Sequence, residues 1–203
     1  VGTWLAITSR PSNPPPGSAP PPALESAIDP VTPIPHPAGV AESLKPLAKT
    51  SSPARFAEAV AHALFDWDTT WPAPVSDYTG RLLAVADPTG EESPGLVADI
   101  ASYLPTTGSW VFLKQYYTRQ WLEVSSVTVP ELWTQALAEA GPGSLAPGTT
   151  AYTIRAVRHR AGVWEDEPVS SAHDVAFTIF MVCEPSYPAC HLLRLSRLDE
   201  PLD

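Results

Sequence analysis

Val175-Ala-Phe-Thr-Ile-Phe-Met-Val-Cys183 stays apolar on both faces when it is laid out with the two-residue period of a strand. Such a run is expected as a central strand covered on one side by helices. Upstream of it, Thr149 to Arg160 alternates as Ala151-Tyr152-Thr153-Ile154-Arg155-Ala156-Val157-Arg158, and Gly162 marks the following turn. Gln120 to Val129 is rich in Val, Thr and Ser and predicts another strand, with Pro130 to Ala140 as a short helix or a wide bulged connection. Downstream, His191 to Leu198 predicts the last strand.

Everything before Gln120 has a different period. Ser52 and Pro53 form a helix start, as N-cap and first helical residue. Phe56, Val60, Ala63, Leu64 and Trp67 then recur at helical spacing, with Arg55, Glu58, His62 and Asp66 between them. After the turn Thr69 to Pro74, a second helix is predicted from about Ser76 to Ala86, with Leu82, Leu83 and Ala86 facing inward. A third starts near Pro94, uses Leu96, Ile100 and Leu104, and stops at Pro105. A further turn or two fits Gly108 to Tyr116. The order is three helices followed by a meander of four strands, which implies an α+β fold with an antiparallel sheet curling around the first long helix.

The chain has 203 residues, 44% apolar and 17% charged, so about 150 residues beyond the proline-rich start suit one domain with one core. A formal net charge of -10 argues against nucleic acid as a direct partner, since phosphate readers cluster Lys and Arg. It also argues that any membrane role needs an anchor rather than an attractive surface.

Cys183 and Cys190 are the only cysteines and lie in C-E-P-S-Y-P-A-C, a short turn between apolar runs. The turn brings them within disulfide range, and such bonds persist outside the cytosol. Free thiols are one alternative. A zinc site using Cys183, Cys190 and His191 is another, although no second Cys or His pair at metal spacing completes it.

Residues 1–10 include the apolar run Val1-Gly-Thr-Trp-Leu-Ala-Ile7, which reads as the end of a transmembrane helix lying upstream or as a mature N-terminus after signal cleavage. Residues 11–50 read as a proline-rich linker: 25 prolines is more than twice the average share, and Pro11 to Pro37 favours extended polyproline II reaching about 80 Å. A tether without specific contacts is the plainer reading. Val40 to Lys49 is a short amphipathic stretch carrying Val40, Leu44 and Leu47, interrupted by Pro46. The folded domain is placed at 51–203.

The strings Pro53-Ala-Arg-Phe-Ala-Glu-Ala-Val-Ala61, Tyr117-Thr-Arg-Gln-Trp-Leu122, Thr150-Ala-Tyr-Thr-Ile154, Arg158-His-Arg-Ala-Gly-Val-Trp164 and Cys190-His-Leu-Leu-Arg-Leu-Ser-Arg-Leu-Asp199 resemble actinobacterial conjugal-transfer proteins of the VirB8/TcpC group. The resemblance spans about residues 50 to 203. It implies an NTF2-like (cystatin-like) cone with three N-terminal helices packed on a curved four-stranded antiparallel sheet. It further implies a non-enzymatic assembly subunit of a conjugative type IV secretion system. Such a subunit is single-pass in the cell membrane, anchored by an N-terminal helix absent from this chain, with the domain extracytoplasmic. Its partners are other secretion subunits and copies of itself, and no cofactor is expected. Asp87-Pro88-Thr89-Gly90 approximates the group's Asn-Pro-x-Gly loop, but its first residue differs. Members of the group also carry tandem domains, whereas this chain has room for one.

Cones of this kind also host enzymes and small-ligand binders, which use an acid/base pair in the cone mouth. The candidates here are His62, Asp66 and Asp68, with Tyr116, Tyr117 or His159 opposite; His62 and Asp66 are four apart and can touch. Interleaving with the apolar stripe favours a surface or capping role. A secreted accessory factor is the other alternative. Ser171, His173 and Asp174 lack a nucleophile elbow and read as a polar turn. No P-loop, dinucleotide fingerprint or H-E-x-x-H string occurs.

Trp67, Trp121 and Trp133 are expected in the core between helix and sheet. Trp71 and Trp164 fall in predicted turns and are candidate partner contacts, a role in which Trp and Arg are enriched. Arg155, Arg158, His159 and Arg160 form a basic cluster that alternation splits, placing Arg158 and Arg160 on one face. These two arginines are further candidate contacts; a solvated strand end is the alternative.

Overall fold

The computed structural model describes residues 44–203, so the N-terminal run and Pro11–Pro37 lie outside the described residues. The fold is mixed α+β: a curled, five-stranded antiparallel sheet in the order β1-β2-β3-β4-β5, with five helices among the described residues. The elements are α1 (Pro53–Phe65), β1 (Trp67–Asp68), α2 (Val75–Leu83), α3 (Ser93–Tyr103), α4 (Thr107–Lys114), β2 (Arg119–Thr128), α5 (Trp133–Ala140), β3 (Thr149–Trp164), β4 (Glu167–Val182) and β5 (His191–Leu195). Four helices therefore precede the long strands instead of three, because the stretch after Pro105 completes α4. No helix of the described residues is long and apolar enough to cross a membrane.

α1 lies against the sheet and buries Phe56, Ala57, Val60, Ala61, Ala63, Leu64 and Phe65. Each large side chain buried there stabilises by about 1.5–3 kcal/mol. Ser52 is the N-cap and Pro53 follows it, but the Ser52 hydroxyl makes no capping bond; its carbonyl accepts from Phe56 N at 3.0 Å. The helix stops before Trp67. Asp66 caps it, and the Asp66 carboxylate accepts the Leu122 amide of β2 at 2.8 Å, pulling Trp67 into a strand paired with Gln120. Trp67 is buried, as expected, though from β1 rather than from a helix.

α2 ends three residues earlier than expected because Ala86 leaves it to bridge Leu192 of β5. α3 buries Leu96 and Ile100 and ends at Tyr103, with Leu104 as its C-cap ahead of Pro105. Ahead of α1, Leu47 is buried in the same core, Leu44 packs on it, and the Thr50 carbonyl accepts from Cys190 N at 2.8 Å.

β4 is an inner strand, flanked by β3 and β5. Val175, Phe177, Ile179 and Met181 face α1 and α3. The opposite face is also covered: Trp133 of α5 packs on Phe180 with ring centroids 6.1 Å apart, and Leu202 N donates to Thr178 Oγ1 at 2.8 Å. That cover explains why the 175–183 run lacks an exposed face. Trp133 thus packs between α5 and the outer face of the sheet, not in the core under α1.

The β3–β4 hairpin is longer than the sequence suggested. Gly162 does not turn the chain but lies within β3, and β4 begins at Glu167 instead of Val175. The reversal is made by Glu165 and Asp166, both at positive φ (49° and 64°), the pattern of a two-residue hairpin turn. Gly162 serves a close approach: a Cβ there would stand 2.8 Å from the Tyr116 carbonyl, which accepts from Val163 N at 2.8 Å. Ser171, His173 and Asp174 accordingly sit on an exposed strand, not in a turn.

Cys183 and Cys190 form a disulfide between the end of β4 and the start of β5. Neither sulfur is therefore a thiolate ligand for zinc. The Cys183 amide donates to Gly148 O at 3.1 Å, so the staple also meets the start of β3.

Candidate functional site

Beyond Ala156 the core face of β3 continues through Arg158, Arg160, Gly162 and Trp164, by simple alternation from buried Ile154 and Ala156. The β4 residues opposite, His173, Ser171, Val169 and Glu167, are exposed, so this half of the hairpin extends past the core. Three candidate contacts, Arg158, Arg160 and Trp164, consequently share one face. Trp71 is elsewhere. It is half-buried beside β1 and lines a cavity of about 400 Å³ with Trp67, Tyr78, Arg119 and Trp121.

The segment leaving α4 supplies the rest of the face. Tyr116 stacks on Trp164 with centroids 5.0 Å apart and planes 24° apart, and Phe112 meets Tyr116 edge-on at 5.1 Å. Phe112 and Trp164 are 56% and 51% exposed, and neighbouring Val111 and Tyr117 are 59% and 64% exposed, so the ladder is apolar surface open to solvent. Tyr117 adopts a φ of 50°, which reverses the chain from α4 into β2 and holds Tyr116 over Gly162. Rigid stacked aromatics contribute large contact area at low entropic cost on association. Phe112 was missed by sequence reasoning. Its i, i+4 spacing with Tyr116 was the available signal.

Arg160 lies behind this ladder. Its Cζ stands 5.4 Å over the Trp67 ring, and its Nη2 donates to Gln120 Oε1 at 2.7 Å. The Nε of Arg160 and the Nε1 of Trp67 are both buried with no acceptor among the described residues. Burial, then the nearby Arg158, holds the Arg160 guanidinium below its ordinary pKa. Arg155, Arg194 and Arg197 each pair with a carboxylate, whereas Arg158 and Arg160 pair with none among the described residues. A cavity of about 580 Å³ opens beside Arg160, walled by Leu104, Pro105, Phe112 and Leu113 and by Gly108 and Ser109 of the first turn of α4.

The acid/base candidates are spread over both faces of the sheet. His62 Nδ1 bonds Asp66 Oδ2 at 2.9 Å, and that hydrogen bond, against the opposing effect of burial, raises the His62 pKa. The other oxygen of Asp66 is held by the Leu122 amide, a capping and tying role. Asp68 accepts from Thr70 N at 2.8 Å in its own turn. His159 is on the outer face, stacked on Trp121 at 5.1 Å and bonded to Glu123 at 3.1 Å. Trp121 is thus 37% exposed on that outer face and not in the core, because Gln120 and Leu122 take the inward positions of β2. Asp87-Pro88-Thr89-Gly90 forms the turn after α2, where the Asp87 amide donates to Leu192 O at 3.0 Å. No protein-family model, curated protein or solved structure matches the chain.

Proposed function

We propose that this chain is the extracytoplasmic assembly domain of a conjugative type IV secretion system, an NTF2-like cone on a single-pass membrane anchor that acts through protein contacts and not through catalysis. The assembly role is carried by the exposed Phe112–Tyr116–Trp164 ladder on a hairpin that extends past the core. Isolated exposed apolar residues are ordinary, but a contiguous stacked set is the usual composition of an interface centre. The system assignment is supported by the five strings that resemble the VirB8/TcpC group. Compartment is supported by the Cys183–Cys190 disulfide, since such bonds are rare in reducing cytosol.

The test has two readouts in a host carrying the full-length gene. Phe112→Ala combined with Trp164→Ala should lower plasmid transfer at least about tenfold, the effect of losing roughly 1.4 kcal/mol of contact energy. The purified double variant should melt close to the parent, because both side chains are about half exposed. Deleting the gene without affecting transfer would overturn the system assignment. Normal transfer by a well-expressed double variant would overturn the ladder. A small-ligand-binding protein with the same cone is the second reading, favoured by the cavity beside Arg160.

A further inference from the structure

We propose that the cavity beside Arg160 binds a small organic monocarboxylate, with the carboxylate at the guanidinium and an apolar body against Phe112 and Leu113. The inference does not rest on the assembly reading. It begins with charge: in a chain of net charge -10, the half-buried Arg160 pairs with no carboxylate among the described residues, and its buried Nε has no acceptor there. Among the described residues its guanidinium hydrogen-bonds a neutral amide, Gln120. The Trp67 face holds the guanidinium in place through a cation–π contact, so its orientation is set before any ligand arrives.

Shape selects the rest of the ligand. A volume of about 580 Å³ falls within the range of small-molecule pockets. The lining is mixed: Leu104, Pro105, Phe112 and Leu113 supply an apolar side beside one cation, and Tyr103, Gly108 and Ser109 complete the wall. Ser109 adds little pull of its own, because its amide and hydroxyl are both engaged by Thr106 Oγ1, at 3.1 and 2.9 Å. The first turn of α4 does add the positive end of its dipole at Gly108. One cation and a weak dipole match a single negative charge. A phosphate dianion is served by several converging donors, which this cavity does not present.

The experiment uses phenylacetate and its neutral isostere phenylacetamide, titrated into the purified protein and followed by calorimetry or amide chemical shifts. Phenylacetate should saturate with a Kd of about 1 mM or below, and the amide should bind at least about tenfold more weakly. Arg160→Gln should weaken phenylacetate by a similar factor, with Arg160→Lys intermediate. Phe112→Glu places a competing charge at an exposed rim position, so it should weaken binding even if the Arg160 variants fold poorly. Equal binding of acid and amide, or unchanged binding in both Arg160→Gln and Phe112→Glu, would sink the proposal. So would the absence of saturation by about 10 mM, or inorganic phosphate competing as well as phenylacetate. Oligomeric state is measured on the same samples, so loss of the ladder and loss of the pocket are read separately.

Discussion

The guanidinium of Arg194 on β5 holds Asp99 on α3 with two hydrogen bonds, Nε to Oδ2 at 2.7 Å and Nη2 to Oδ1 at 3.1 Å. The same Oδ2 accepts the Leu195 amide at 3.0 Å, and the Asp99 side chain is only 15% exposed. This fork ties the edge strand to a helix from the other half of the chain. Asp99→Ala should cost about 2 kcal/mol in chemical denaturation, since it leaves the Leu195 amide without its acceptor and Arg194 with only the longer contact to Glu92 at 3.4 Å.

Gly95 supplies the floor for that fork. A Cβ there would stand 2.6 Å from Arg194 Cζ, so Gly95→Ala must displace the guanidinium even though Ala is the better helix former by about 1 kcal/mol. In the parent the two effects oppose each other. In an Asp99→Ala background the fork is already lost, so Gly95→Ala should stabilise there by up to about 1 kcal/mol. A double-mutant cycle showing simple additivity would remove the proposed contact.

Gly148 has a different constraint, because its obstacle is backbone. It has a φ of +83°, and a Cβ would stand 2.3 Å from Glu184 O and 2.6 Å from Cys183 O. Neither carbonyl can rotate away as a side chain does. Gly148→Ala should therefore destabilise by about 3 kcal/mol or more, read as a lowered denaturation midpoint with an unchanged slope.

Reduction of Cys183–Cys190 should loosen one end of the sheet and leave the domain folded. The bond spans a sequence separation of 7, and closing so short a loop contributes about 2 kcal/mol. Amide exchange should accelerate first at Cys183 and Cys190, whose N–H groups bond Gly148 O and Thr50 O. Loss of far-UV circular dichroism on reduction would contradict this.

His62 should titrate above its ordinary value near 6.5, because the hydrogen bond of its Nδ1 to Asp66 outweighs burial, and the charges of Asp66 and Glu58 add to it. A pKa raised on folding stabilises the folded state fully below the unfolded value and loses that contribution as pH rises through the folded pKa. The increment is small, since His62 and Asp66 are 38% and 42% exposed and water screens the pair. NMR titration of the imidazole should show its midpoint fall in Asp66→Asn; an unmoved midpoint would exclude the pair as the cause.

Much of the fold was legible from period alone. The 175–183 run, the Ser52-Pro53 start and the cysteine turn are local signals, and each lies where its signal put it. Errors arose where one local signal has two physical meanings. Gly162 reads equally as a turn and as a point of close approach, and only Tyr116, 46 positions earlier, decides between them. Trp67 continued a helical stripe, yet a hydrogen bond from Asp66 to Leu122 diverted it into a strand. Trp121 had the composition of a core residue but the wrong parity, because Gln120 and Leu122 took the inward face.

By itself, then, the sequence determined most of the helices and the cores of the long strands, that the helices largely precede the sheet, and that Arg158 and Arg160 share one face. Alternation says which residues lie together on a strand; it says nothing of what covers them. The sheet's curl and the placement of α4 decided that Phe112, Tyr116 and Trp164 stack, that Arg160 rests over Trp67 with no carboxylate among the described residues, and that Trp71 stands apart. Apart from the local pair Phe112 and Tyr116, those juxtapositions join residues dozens of positions apart, and they are set by how the whole core packs.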